Sequence, residues 1–100
     1  MKLEINKVYT VKLNSGEELI TKVVSISDWP FVLISEPVSI APSPQGMGLV
    51  PSMFTSEPKE NAVINMNSVS LYAPTEESVR FKYTEATTGI KLPEKKLILG

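Results

Sequence analysis

Five side chains in two short stretches carry the chemistry this sequence can offer. "SDWPF" holds Asp28, Trp29 and Phe31, and "NMNS" holds Asn65 and Asn67. Indole and phenyl rings present faces on which a nucleobase stacks, a sequence-tolerant contact worth about 1–3 kcal/mol per base. A carboxamide both donates and accepts, so it can pair with a base edge. Each residue also has a plainer use. Trp29 and Pro30 can pack a turn, Phe31 can open a buried strand, and both asparagines can supply turn geometry. Asp28 can serve as a loop-stabilising acceptor.

Other chemistries are closed off by composition. The 100 residues include no Cys and no His. That removes thiol nucleophiles, imidazole bases and zinc sites of the usual ligand types, so no metal or other cofactor is expected. No carboxylate pair, phosphate-cradling Gly loop or Ser-plus-base arrangement stands out, and the chain does not read as an enzyme. Ten basic residues face eleven acidic ones, which argues against a duplex binder, whose affinity rests on phosphate neutralisation. A short single strand held by stacking and hydrogen bonds remains compatible. Lys22, Lys59, Arg80 and Lys82 are spread along the chain as solvated surface charges are, and Met47, Met53 and Met66 suit gap-filling or an adaptable surface. No apolar run reaches bilayer-spanning length. The start "MKLEINKVY" lacks a signal-peptide core, so a cytoplasmic protein is expected.

These loops need elements to position them. "KVYTVKLNSGEELITKVVSI" reads as a hairpin: period-two alternation through Tyr9, Val11 and Leu13, a turn at "NSGE" with Gly16 free to take positive φ, then a long strand from about Leu19 to Ile26. "SDWP" interrupts, and "FVLISEPVSIA" resumes as a third strand in which Pro37 implies a bulge or an edge. Residues 42–60 read as irregular or a hairpin extension, with a short strand in "LVPSMFTS". "NAVIN" and "SVSLYA" read as two short strands about the "NMNS" turn. Thr75 is the expected N-cap of a helix over about 75–88, with Val79, Tyr83 and Ala86 on one stripe and Gly89 as its stop. The pattern predicts one domain over 1–100: a small, strongly bent five-stranded antiparallel barrel over about 8–73, of SH3-like or OB type with the long second strand and tight first turn favouring SH3-like, then the helix, then an apolar tail over 89–100.

"VKLNSGEELITKVVSISD" resembles the first motif of Sm and LSm proteins, bacterial Hfq among them, with Leu13, Gly16, Leu19, Val23, Ile26 and Asp28 in the motif roles. "INMNSV" resembles the second motif through Ile64 and Val69. The chain is also similar to small Sm-like proteins of marine phages, which implies the cytoplasm of a phage-infected bacterium. The resemblance implies an Sm-like fold assembling into a homo-oligomeric ring, pentamer to heptamer. It also implies single-stranded RNA bound at the pore by "SDWPF" and "NMNS", with RNA pairing or turnover modulated as a result. Several positions depart from the family pattern. Thr21 stands for a Gly, Val32 for an Asn, and Asn65 and Met66 for the Arg-Gly pair, while the usual N-terminal helix is replaced by a C-terminal one. Those departures leave open an alternative, a structural or adaptor ring that binds protein partners and no RNA. Residues 42–60 and the helix would then be its contact surfaces.

Overall fold

Alternating apolar residues with a glycine turn build the first hairpin, as the sequence predicts. In the computed structural model, which describes residues 2–57 and 59–88, β1 (Val8–Leu13) pairs antiparallel with β2 (Glu18–Asp28). Gly16 takes φ +97° in the turn between them, a conformation costly for any residue with a Cβ. The strand β3 (Phe31–Ser43) returns along β2 and then along β4 (Gly46–Pro51). After an irregular segment, β5 (Ala62–Asn65) pairs with the first half of β3. A 3-10 turn (Met66–Ser68) leads into β6 (Val69–Pro74), which pairs with β1.

The sheet order is β4-β3-β2-β1-β6, with β5 beside β3. It has six strands, one more than expected. The extra strand arises because Gly46, at φ +117°, closes a hairpin that carries β3 on to Ser43 and pairs Pro42 with Met47. The stretch read as irregular or a hairpin extension thus forms β4, which starts before "LVPSMFTS" and stops at Pro51, and residues 52–57 and 59–61 have no regular structure. No ladder joins β5 to β6, so the sheet does not close into the expected barrel.

The sheet is nevertheless bent, and β2 and β3 show how. Register shifts fall between Ile20 and Lys22, Val23 and Ser25, and Ser25 and Asp28. Extra residues of this kind bend and twist a strand locally. At the first shift the extra residue lies on β3, where Glu36 has φ +47° just before Pro37, matching the irregularity that proline implied. The bend gives the sheet two apolar faces. Tyr9, Val11, Leu19, Val23, Val32 and Ile34 form one core, closed by Leu3 and by Ile64, Met66, Val69 and Tyr72 from the β5–β6 segment. Tyr9 and Tyr72 meet edge to face at 6.0 Å.

The second core, on the opposite face, joins Val8, Ile20 and Val38 to Tyr83 of α1 (Glu77–Thr88). Val79 and Tyr83 face the sheet as the helical stripe predicted, but Ala86 is exposed. The helix also starts later than expected. Glu76 caps it: its carboxylate accepts from the Val79 amide at 3.2 Å and from Ser78 Oγ at 2.6 Å. Thr75 is drawn inward instead, its hydroxyl 3.0 Å from that of Thr10. The Gly89 stop and the 89–100 tail lie outside the described residues.

One polar link fastens the helix to the sheet. Tyr83 Oη donates to the Ser35 carbonyl at 2.7 Å, and Thr21 Oγ1 donates to the same oxygen at 2.8 Å. Ser35 adjoins the register shift, where a ladder leaves backbone groups in need of partners. Thr21, 1% exposed, thus has a structural use for its hydroxyl.

Candidate nucleic-acid interface

The ladder between β3 and β5 brings the two candidate stretches together. Asp28 and Phe31 face each other across a two-residue turn formed by Trp29 and Pro30. Phe31 in turn lies opposite Asn65. The Met66 amide, first in the 3-10 turn, donates to the Pro30 carbonyl at 2.8 Å. Positions 28 to 31 and 65 to 67, more than thirty residues apart in sequence, therefore form one continuous surface.

The aromatic rings on this surface are open to solvent. Trp29 is 57% exposed and Phe31 46%. Phe31 opens its strand from the outside, because the side chain after it, Val32, is the one buried in the first core. In a strand the neighbours of an inward residue point outward. Asp28 and Asn67 are exposed as well, and Asn65 is half-buried.

The asparagines divide their functional groups between structure and surface. Asn65 Oδ1 accepts from the Asn67 amide at 3.0 Å, capping the 3-10 turn from an extended backbone. That uses one of the oxygen's two acceptor positions, and the Nδ2 amide remains suited to a ligand's acceptor. The Asn67 carbonyl accepts from Asn14 Nδ2 at 3.1 Å, and the Asn14 amide donates to the Ser68 carbonyl at 2.7 Å. Asn14, in the β1–β2 turn, thus braces the "NMNS" turn from a stretch the sequence reading gave only a turn role. Its partners are backbone carbonyls, which have no residue signature.

Of the three methionines, Met66 packs against the first core, while Met47 and Met53 are exposed. Among the described residues no cluster of three or more His, Cys, Asp or Glu side chains could hold a metal. No described helix is long and apolar enough to cross a membrane. Chemically, the surface offers two ring faces, the side-chain amides of Asn65 and Asn67, and one carboxylate. It suits stacking and hydrogen bonding. No family model matches this chain, and no curated protein matches it.

Proposed function

We propose that the chain is an Sm-like, ring-forming protein that binds single-stranded RNA on the surface formed by "SDWPF" and "NMNS". The observation that carries the reading is the bond from the Met66 amide to the Pro30 carbonyl. It holds exposed Trp29 and Phe31 beside the Asn65 amide, so a base can stack on a ring while its edge meets Nδ2. Assembly is supported by the sheet edges. Among the described residues β3 is the one strand paired with β5, and Val63 on β5 and Leu71 on β6 are exposed. Unpaired strand edges with apolar side chains favour pairing with another chain. Around a ring, repetition multiplies a weak contact through effective concentration.

The test is the affinity of U-rich and A-rich oligonucleotides at several salt concentrations, for the parent, Trp29→Ala and Asn65→Ala. Binding should weaken in at least one variant with the oligomer intact. Its salt dependence should be shallow, because cations contribute little. No binding by the parent at low salt would refute RNA recognition. The protein-binding adaptor ring would then take its place, with exposed Met47, Met53 and Phe54 as its contact residues.

A further inference from the structure

Away from that surface, a groove of about 540 Å³ runs between residues 53–57 and 60–61, the β3–β4 hairpin and the end of α1. Its apolar lining includes Val38, Leu49 and Phe54, the last 80% exposed. Its charged lining is Glu36, Glu57 and Glu60, with no lysine or arginine among the described lining residues. An exposed phenyl ring over an apolar floor is unfavourable in water unless something covers it.

Ala86 and Thr87 also line this groove, so the last described residues of α1 lie at its mouth. The following sequence is "GIKLPEKKLILG", residues 89–100. It holds Ile90, Leu92, Leu97, Ile98 and Leu99 for an apolar floor, and three lysines against one glutamate for an acidic rim. Residues 1–88, by contrast, carry seven cations and ten carboxylates. Fully extended, twelve residues reach about 40 Å, comparable with the molecule's 39 Å longest dimension, so reach sets no obstacle.

We propose that residues 89–100 dock in this groove on their own chain, with their leucines and isoleucines over Val38, Leu49 and Phe54 and their lysines toward Glu57 and Glu60. A tether this short gives the segment a high effective concentration at its site. A second groove, of about 510 Å³, lies beside Met47 and Ile40 but carries Lys82 as well as Glu85. Its mixed charge matches the cationic segment less well. The inference is independent of RNA binding.

The full-length chain has no cysteine, so Lys96→Cys takes a single nitroxide label. In a sample isotope-labelled at methyl groups, the label should broaden Leu49, Met53 and Ala86 signals. That broadening should persist when labelled chains are diluted with unlabelled ones, and fall several-fold on adding Glu57→Lys and Glu60→Lys while the amide spectrum elsewhere stays unchanged. Three results would overturn the proposal: no broadening at these methyls, broadening at Met47 and Ile40 instead, or broadening lost on dilution. The last would make a second copy the occupant.

Discussion

Tyr83 offers the sharpest test of how the helix is held to the sheet. The side chain is 3% exposed, its ring fills the second core, and its hydroxyl shares the Ser35 carbonyl with Thr21. Tyr83→Phe removes one hydrogen bond but leaves the carbonyl its second side-chain donor. The expected cost is therefore the net value of a bond, about 0.5–1.5 kcal/mol. Tyr83→Ala removes the ring and opens a cavity against Val8, Ile20 and Val38, for about 3–5 kcal/mol. Thr21→Val keeps the shape and should cost about 1 kcal/mol. Combined with Tyr83→Phe it strips both side-chain donors from a half-buried carbonyl, so the double variant should exceed the sum of the singles by on the order of 1 kcal/mol. Urea midpoints at constant m-value read all four. Strict additivity, or a Tyr83→Phe variant as stable as the parent, would refute the shared-carbonyl account. Burial also pushes the Tyr83 phenol up to about 12 from its usual value of 10.0. Above pH 10 the unfolded tyrosine releases its proton while the folded one keeps it, so stability should fall as pH rises toward 12. Tyr83→Phe should flatten that decline.

Gly16→Val should destabilise by about 1–2 kcal/mol. A Cβ there meets nothing within 4 Å, so any measured loss reports backbone strain alone, and an unchanged denaturation midpoint would mean the turn needs no positive φ. The Ser78 hydroxyl and the Val79 amide hold the Glu76 carboxyl below its ordinary 4.5. Its capping contribution should be present above that pH and fade below it, with Glu76→Gln removing the pH dependence of helical circular dichroism in that range. Light scattering after size exclusion should show a closed multimer. A monomer independent of concentration would remove the ring reading.

Local rules accounted for much of the strand pattern. Alternation is enough where a strand has one buried face, so β1, β2 and the Gly16 turn were legible. The hairpin from β3 into β4 was less so, because Pro42, Pro44 and Pro51 read as breakers although an edge ladder tolerates them. Thr75 was misread as a cap for a related reason. Its hydroxyl suits a helix start, yet Thr10, sixty-five residues away, claims it. The Leu3 side chain was passed over because the segment around it has no periodicity, and its burial depends on backbone bonds between Asn6, Lys7 and Val23.

For the candidate site the division falls along the same line. Residue type alone determined that imidazole and thiol groups are absent, and it marked aromatic and carboxamide side chains as the candidates in these two stretches. Whether Trp29 and Phe31 were core or surface was beyond sequence, because an aromatic residue satisfies either environment. For Phe31 the β3–β5 ladder decided it, turning Val32 inward and Phe31 outward, and Trp29 sits in the exposed turn just before. The same ladder set Asn65 beside Phe31, while the adjoining 3-10 turn gave its oxygen a capping role. Local propensity acts over a few residues, whereas pairing across more than thirty residues depends on the bend in β2 and on two cores being filled together.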